Sequence, residues 1–365
     1  SNNNAYFGTS VSLNVDGTTL AGGAPYSDSP NLAGGMVRVF KSTVRDDGEV
    51  DWKPFDIDGQ GGDYLGSCVS LSDDGTILAA LAGKFAVVEA AVKIYQYDTA
   101  QEKWSPIGTD ILSTFGDTGG GWRHRDRISL CGDGTKIAFG APMYSFASAG
   151  TEEWNAEIGK VSVYNIIEVT TTQVEIIPPD PNAPVYTPLD VPVQLGQDII
   201  GPHDDDFFGY RVAMSNDGTI LATGDSWYDG PDNNLTDAGH VKVYQYANDT
   251  WTQLGQEILG ETDNPSSTVY FGGSVSLSSD GTIVAAGAIS ANKQLQDGSF
   301  EYQGYAKICQ WNGSTWTELG ENIWGGPTGG TGASVGLSSD GSIVAVGAKY
   351  SDINEIDSGH VRVYQ

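Results

Sequence analysis

The chain has 365 residues, of which 47 are Asp or Glu and 18 are Lys or Arg, so its formal net charge is −29. A surface this acidic repels phosphate backbones and anionic lipid, and no run of about 18 uncharged apolar residues could span a bilayer, so we expect neither nucleic acid binding nor membrane insertion. The 49 glycines and the short runs of Val, Ile, Thr, Tyr and Trp indicate strands joined by tight turns.

One repeat unit recurs six times along the chain. It opens with an aromatic or apolar residue and Gly, as at Phe7 and Gly8, and continues into a strand such as Ser-Val-Ser-Leu. An Asp-Gly turn leads to an apolar second strand that ends in Gly-Ala, as in residues 343–348. A variable loop, a third strand such as 240–246 and a fourth such as 251–258 complete the unit. The turn aspartates that set the register are Asp16, Asp74, Asp133, Asp217, Asp280 and Asp340.

Each part of the unit has a physical reason. Asp-Gly supplies the positive φ that a two-residue hairpin needs. The second strand is apolar on both faces, as expected where neighbouring sheets cover both sides. Four strands per unit and six units fall within the roughly four to eight blades of known propellers. We therefore predict an all-β fold, one six-bladed β-propeller over residues 1–365, with the first strand of each unit innermost and an insertion in the third unit at about 166–192.

The sixth unit reaches Gln365 within its third strand, so its sheet is predicted to have an open edge. An unpaired edge recruits another strand. We expect the chain to continue, which would allow seven blades. The alternative is that another chain donates the missing strand.

The repeat argues against a catalytic centre. The four histidines do not cluster, and His240 and His360 share one repeat position, where other units have Met36, Lys160 or Ala306. A residue that recurs by repeat position is architectural rather than catalytic. No Gly-x-Ser-x-Gly elbow is expected to expose a serine as a nucleophile, and carboxylates are abundant enough to pair by chance. We predict no catalytic residues, no cofactor and no enzymatic activity.

A basic segment is unusual in so acidic a chain. Arg123, Arg125 and Arg127 would share one face of an extended strand, and Arg211 aligns with Arg127 in the next unit. Two hypotheses stay open. These arginines form a docking site for an acidic surface, a second copy of this chain included, or they pair locally with blade carboxylates, which is the interpretation we favour.

The sequons at Asn234, Asn248 and Asn312 lie in loops or hairpin turns, so they are candidate glycosylation sites in a secreted protein. The acidic run from His203 to Asp206 is interpreted as a solvated loop rather than a cation site. The cysteines are far apart and lack metal-ligand spacing, which predicts small buried residues and leaves one disulfide open: Cys68, Cys131 and Cys309.

The pair Phe7-Gly8 followed by Gly23-Ala24-Pro25 resembles the FG-GAP repeats of integrin α-chain propellers. Other units keep half of the motif: Leu65-Gly66, Phe208-Gly209, Phe271-Gly272 and Gly140-Ala141-Pro142. The unit as a whole more closely resembles a repeat of large secreted or surface proteins of marine algae. The resemblance implies a propeller, an extracellular setting and binding or structural work.

Calcium sites are not carried over from that resemblance. FG-GAP hairpins often hold Ca²⁺ in an Asp-x-Asp-x-Asp-Gly loop, whereas the turns here are reduced to Ser-Asp-Gly or Asp-Asp-Gly. Two residues cannot supply the roughly six to eight oxygens that Ca²⁺ prefers. We predict no metal site.

The favoured function is a non-catalytic, extracellular structural or adhesive propeller, part of a surface or filament assembly such as an algal flagellar hair or cell covering. Its partners would be other protein chains of that assembly, a second copy included, and glycans. The alternative is a module that binds a carbohydrate or protein ligand, which needs a repeated polar and aromatic pocket on one face. An enzyme is the least favoured hypothesis, because it needs a cluster of catalytic residues outside the repeat pattern.

Overall fold

The computed structural model describes residues 6–28, 33–83, 89–114, 127–142, 158–170, 185–202, 206–230, 237–261, 264, 267–352, 355 and 357–365. All of the regular secondary structure assigned within these ranges is β-strand, and no helix is assigned there. Six antiparallel sheets follow one another along the chain, and within each the main strands lie in sequence order. This confirms the predicted all-β fold, a six-bladed β-propeller.

The first three sheets differ in the length of their outer strands. The first contains β1 (Ser10–Leu13), β2 (Thr19–Ala24), β3 (Met36–Val44) and β4 (Val50–Asp58). The second contains β5 (Val69–Leu71), β6 (Ile77–Gly83), β7 (Glu89–Asp98) and β8 (Lys103–Thr114). The third contains β9 (Arg127–Leu130), β10 (Lys136–Ala141), β11 (Lys160–Thr170), β12 (Val185–Gln194) and β13 (Ile199–Ile200).

The last three sheets become progressively less regular. The fourth contains β14 (Arg211–Met214), β15 (Ile220–Asp225), β16 (His240–Ala247), β17 (Thr250–Gln253) and β18 (Ile258–Leu259). The fifth contains β19 (Phe271–Leu277), β20 (Ile283–Ala288), β23 (Tyr305–Trp311), β24 (Trp316–Glu318) and β25 (Ile323–Trp324), with a hairpin of β21 (Asn292–Gln294) and β22 (Phe300–Tyr302) in its loop. The sixth contains three strands, β26 (Thr331–Leu337), β27 (Val344–Ala348) and β28 (His360–Tyr364).

The chain divides into two compact units. Unit 1 comprises Ser1–Thr114, Ile128–Ile137 and Val163–Leu195, and therefore holds the first and second sheets. Unit 2 comprises Phe115–Arg127, Ala138–Ser162 and Gly196–Gln365, and holds the fourth, fifth and sixth sheets. Residues of the third sheet fall in both units.

The Asp-Gly turns form as predicted. In the fifth sheet, Oδ1 of Asp280 accepts hydrogen bonds from Oγ of Ser278 at 2.7 Å and from the backbone N–H of Thr282 at 2.9 Å. Gly281 has a φ of +70°, which a residue with a side chain rarely adopts. The aspartate therefore links both strands of the hairpin, which is why it recurs.

In the fourth and fifth sheets, two short strands take the place of one continuous fourth strand. Gly255, with a φ of +74°, separates β17 from β18, and the ring of Trp316 from the fifth sheet packs against it. The side chain of Gln256 fills the gap: its Nε2 donates to the carbonyl of Trp316 at 2.7 Å, and its Oε1 accepts from the N–H of Trp316 at 3.1 Å. Trp316 therefore joins the fourth and fifth sheets through hydrogen bonds, and Gln197 and Trp251 form an equivalent joint.

The insertion in the third repeat unit lengthens the hairpin formed by β11 and β12. Strands β11 and β12 remain paired as far as Thr170 and Val185. The intervening residues 171–184 lie outside the described ranges. No helix in the part of the chain that the structure covers has the length and hydropathy needed to cross a bilayer.

Candidate functional site

The repeat supplies an internal alignment, because each position has equivalents in the other sheets. A residue that the other units do not share is therefore visible as a departure from the pattern. Within the described ranges, two such departures, Tyr210 and Asp225, occur at one end of the fourth sheet, near the start of β14 and at the end of β15. Arg211 and His240 lie at the same end, although Arg127 and His360 hold their positions in other repeat units.

Asp225 ends β15, where the first, third, fifth and sixth sheets have alanine. It lies opposite His240 on β16, and both side chains are completely buried. Nε2 of His240 is 3.5 Å from Oδ2 of Asp225, and Nδ1 is 3.3 Å from Oε2 of Glu257. The imidazole therefore lies between two carboxyl groups, with the ring of Tyr228 at a centroid distance of 4.1 Å.

Burial raises the pKa of Asp225 well above its usual range, and the charge of Asp206 raises it further. The ammonium of Lys242 and the backbone N–H of Trp227 act in the opposite direction but do not outweigh burial. Asp225 therefore holds a proton to higher pH than an ordinary carboxyl. Buried carboxyl groups of this kind are frequent at sites of proton transfer.

A group of aromatic rings follows Asp225. The Trp227 ring contacts Phe207, Tyr210 and Tyr270 at centroid distances of 5.1, 4.7 and 5.8 Å. The corresponding residue in the first sheet, Tyr26, contacts two tyrosines in the same way, Tyr6 at 5.3 Å and Tyr64 at 5.7 Å. The sequence analysis did not find this repeated aromatic group, because the rings come from loops of two successive units.

Two of the predicted docking arginines meet at Tyr210. The guanidinium carbon of Arg211 is 4.2 Å from the centroid of this ring, and that of Arg127 is 5.9 Å from it. Arg211 also donates to the carbonyl of Tyr210 at 3.0 Å. The other two, Arg123 and Arg125, lie outside the described residues. Docking to an acidic surface stays a prediction.

The structure also corrects the interpretation of His240. Register pairing shows that its equivalent in the fifth sheet is Tyr305, not Ala306. His360 shares the repeat position but is only partly buried, whereas His240 is fully buried. A shared position therefore does not mean a shared environment, and the departure of Asp225 from alanine was the signal available in the sequence.

One Gly-x-Ser-x-Gly sequence is present, from Gly332 to Gly336, with Ser334 at its centre. It lies entirely within β26, which pairs with β27. It is therefore not a strand-to-helix elbow that exposes a nucleophile.

Two predicted glycosylation sites are exposed at hairpin tips. Asn248 lies between β16 and β17 with a φ of +51°, and Asn312 lies between β23 and β24. Oδ1 of Asn312 accepts from the N–H groups of Ser314 and Thr315, so this amide helps to form the turn. Asn234 lies outside the described residues, and glycosylation stays a prediction.

Among the residues that the structure describes, no three or more His, Cys, Asp or Glu side chains are grouped as metal ligands. The turn aspartates bind their own hairpins, as shown for Asp280. All three cysteines are buried and free, as the composition suggested: Cys68, Cys131 and Cys309.

No family model matches this chain, and no curated protein matches it. Solved structures do. One is a Bacteroides uniformis protein assigned as a 6-phosphogluconolactonase, with a TM-score of 0.53 and 14% identity over 98% of this chain and 80% of that one. Another is the periplasmic gluconolactonase of Pseudomonas aeruginosa, with a TM-score of 0.52 and 12% identity over 98% of this chain and 88% of that one.

These neighbours overturn the functional prediction. The sequence analysis predicted a non-catalytic structural or adhesive propeller and no enzyme, whereas both neighbours bear the names of lactone-cleaving enzymes. The prediction was wrong because it used the repeat as evidence against catalysis, although a repeated scaffold can carry a site in one blade. At 12 to 14% identity the likeness establishes the shared fold. The FG-GAP resemblance and the extracellular setting stay predictions.

Proposed function

We propose that this chain is a hydrolase of cyclic esters, with its active site at the end of the fourth sheet. The observation that carries the proposal is the convergence of ionisable groups there: the buried Asp225 beside His240, and the arginines on Tyr210. Ionisable groups with strongly perturbed pKa values beside partly exposed cations are typical of catalytic sites. The names of the two structural neighbours support a lactone as substrate.

Each group has a role in ester hydrolysis. Arg127 and Arg211 would donate hydrogen bonds to the carbonyl oxygen, whose negative charge grows as water attacks. The Trp227 ring and its aromatic neighbours would hold the apolar face of the cyclic substrate. Asp206 is 6% exposed, so the interpretation of its run as a solvated loop was wrong for this residue. It precedes Phe207, lies close enough to Asp225 to raise its pKa, and would act as general base.

The proposed reaction balances without any further reactant. Asp206 takes a proton from water, the water oxygen bonds to the carbonyl carbon, and the ring C–O bond breaks. The proton returns to the ring oxygen, which leaves as a hydroxyl group. Asp225 and His240 are positioning residues: because they are fully buried, they act through Trp227 and Asp206 rather than on the substrate.

The test is hydrolysis of δ-gluconolactone, followed as acid release with the spontaneous rate subtracted. Substitutions that restore the repeat residue are the gentlest variants, so Arg211→Ser is preferred, because Ser274 and Ser334 hold that position in the next two sheets. We expect Arg211→Ser to lower kcat roughly 100-fold, and Asp206→Asn to lower it by at least about that much.

Arg38→Ser in the first sheet is the matched control, since that arginine forms an exposed ion pair with Asp56. It should leave kcat unchanged. Asp225→Ala tests positioning: it should flatten the pH profile of kcat without raising KM. Wild-type rates equal to the spontaneous rate across a panel of five- and six-membered lactones would reject the proposal.

A further inference from the structure

His240 lies between two carboxyl groups that differ in their access to solvent. Its Nε2 is 3.5 Å from Oδ2 of Asp225, and its Nδ1 is 3.3 Å from Oε2 of Glu257. The side chains of His240 and Asp225 are 0% exposed, whereas that of Glu257 is 27% exposed. The imidazole therefore connects a completely enclosed carboxyl to one that reaches the surface of the protein.

The third sheet has an equivalent pair of residues. Lys160 takes the place of His240, and Asp198 takes the place of Glu257, as the pairing of the third strand with the short strand that follows shows. Nζ of Lys160 donates to Oδ2 of Asp198 at 3.1 Å. The second strand of this sheet ends in Ala141 rather than in a carboxyl. The carboxyl of Glu257 thus belongs to the repeated pattern, and the fourth sheet adds a second carboxyl on the other side of the ring.

The fifth sheet has none of the three groups. At the equivalent positions it has Ala288, Tyr305 and Asn322. The Tyr305 hydroxyl accepts the backbone N–H of Glu261 at 2.8 Å, and burial raises the pKa of this phenol. None of these three side chains exchanges a proton near neutral pH. Of the three consecutive sheets, the fourth alone therefore has an imidazole with a carboxyl on either side.

An imidazole is suited to move protons between two such groups. Its neutral ring has a donor N–H at one nitrogen and an acceptor at the other, so it can gain a proton on one side and give one up on the other. The two N···O distances are somewhat longer than those of hydrogen bonds. Contacts of this kind are frequently long in the absence of substrate and shorten when a site is occupied. Because Asp225 is enclosed, its proton is exchanged through a neighbouring group, and His240 is the neighbour that also contacts a partly exposed carboxyl.

We propose that His240 transfers protons between Glu257 and Asp225, so that the protein surface supplies and removes the proton of the enclosed carboxyl. Inward, the O–H bond of protonated Glu257 breaks as its proton bonds to Nδ1, and the proton on Nε2 bonds to Oδ2 of Asp225. Outward transfer reverses both steps and returns the ring to its first tautomer. Each bond that breaks is matched by one that forms, and the proton comes from solvent water.

Charges around the ring set where the proton rests. Nζ of Lys242 is 3.8 Å from the same Oε2 of Glu257, so it favours the ionised form of that carboxyl. The charge of Asp206, by contrast, raises the pKa of Asp225, which burial has already raised. Burial and both carboxyl groups raise the pKa of Tyr244, so this phenol stays protonated and takes no part. Among the described residues that act on the two carboxyl groups, these charges therefore place the proton on Asp225 rather than on Glu257.

The consequence for hydrolysis rests on the proposed function. Asp206, the proposed general base, must be ionised to accept a proton from water, and its charge acts on Asp225. Two neighbouring carboxyl groups do not both ionise readily, so Asp206 stays available as a base while Asp225 keeps its proton. Glu257 restores that proton whenever it is lost. Glu257 is thus a further positioning residue, one step farther from the substrate than His240.

The transfer can be measured directly as exchange of the imidazole protons with water. The chain has four histidines, so NMR of protein with isotope-labelled histidine gives few signals, and His240→Gln assigns the relevant one. We expect Glu257→Gln to slow exchange of the His240 N–H protons roughly 100-fold, because an amide of the same size does not take up a proton near neutral pH. Glu257→Asp, which restores a carboxyl as in the third sheet, should recover most of the rate.

Asp198→Asn is the matched control, because it removes the equivalent carboxyl of the third sheet, and it should leave the exchange rate at His240 unchanged. Asp206→Asn tests the rival route, in which protons enter from the side of the substrate. Slower exchange in Asp206→Asn together with unchanged exchange in Glu257→Gln would overturn the proposal. Faster exchange in Glu257→Gln, with circular dichroism showing a folded protein, would also overturn it, since the imidazole would then exchange by local opening.

Hydrolysis by the same variants separates this inference from the proposed function. Glu257→Gln should lower kcat about tenfold, leave KM unchanged and raise the ratio of the rates in light and heavy water, and Glu257→Asp should reverse these changes. If the wild-type chain hydrolyses no lactone, the proposed function fails, while the exchange measurements still decide the proton transfer. If Glu257→Gln hydrolyses lactone normally and its imidazole exchange is unchanged, the proton transfer is overturned and the proposed function stands.

Discussion

The fourth and fifth sheets place different chemistry on the same backbone positions. In the fourth, Asp225 lies opposite His240; in the fifth, Ala288 lies opposite Tyr305. Tyr305 fills its site with an apolar ring, and its hydroxyl accepts the N–H of Glu261 at 2.8 Å. The fourth sheet instead buries an ionisable pair, which costs stability. One sheet of the repeat therefore tolerates a buried Asp–His pair, while the equivalent position of the next sheet holds alanine and tyrosine.

The largest expected effect concerns a tryptophan that the fourth and fifth sheets both have on their fourth strand. Trp251 and Trp316 are 3% and 4% exposed, and each exchanges two hydrogen bonds with a glutamine of the preceding repeat unit. We expect Trp251→Ala and Trp316→Ala each to lower the free energy of unfolding by about 3–5 kcal/mol, measured by urea denaturation. Trp52→Ala is the control, because Trp52 is 43% exposed, and should cost about 1 kcal/mol. If the losses for Trp251→Ala and Trp316→Ala differ by more than about 2 kcal/mol, the two Trp–Gln joints are not energetically equivalent.

The second prediction moves the carboxyl group of the fourth sheet into the fifth. Ala288→Asp buries a carboxyl opposite Tyr305 with no imidazole beside it, so we expect a loss of about 2–4 kcal/mol in the free energy of unfolding. Ala288→Ser, which adds only a hydroxyl, should cost less than half as much. An aspartate tolerated at no cost would mean that His240 is not what makes Asp225 acceptable.

The third prediction uses the raised pKa of Asp225. A carboxyl whose pKa is raised by folding stabilises the protein fully below its unfolded pKa, about 3.9, and this contribution is lost as pH rises through the folded value. Asp225→Asn cannot ionise, so its melting temperature should exceed that of the wild type by an amount that grows by a few degrees between pH 4 and pH 8. Ala288→Asn in the fifth sheet should give a pH-independent difference. A gap that shrinks as pH rises would contradict the assigned direction.

The smallest effect is expected at a turn. Burial raises the pKa of Asp280, but hydrogen bonds from Ser278 and Thr282 outweigh it and lower the pKa overall. Its stabilising contribution is therefore present at neutral pH and lost as pH falls through the folded value. We expect Asp280→Ala to cost about 1 kcal/mol or less at pH 7, and still less at pH 3, by thermal unfolding at both pH values. An equal cost at both would show that the carboxylate charge is not involved.

Much of the architecture follows from local sequence. Asp280 and Gly281 specify a hairpin because the carboxylate binds both strands and glycine alone adopts the required φ easily. The alternation of Val241 and Val243 with polar residues shows which face of β16 is buried. These signals act between residues close in the chain, so the number of units, their strand order and the fold could be predicted from sequence.

The candidate site could not be predicted in the same way. Asp225 was visible in the sequence as a departure from alanine, but its burial against His240 and its distance to it depend on strand pairing. The rings around Trp227 come from Phe207, Tyr210 and Tyr270, which belong to loops of successive units. Sequence spacing does not show which loops meet, because that is decided by how one sheet packs on the next. The sequence by itself determined the repeated scaffold, and only the tertiary structure decided where the residues that break the repeat come together.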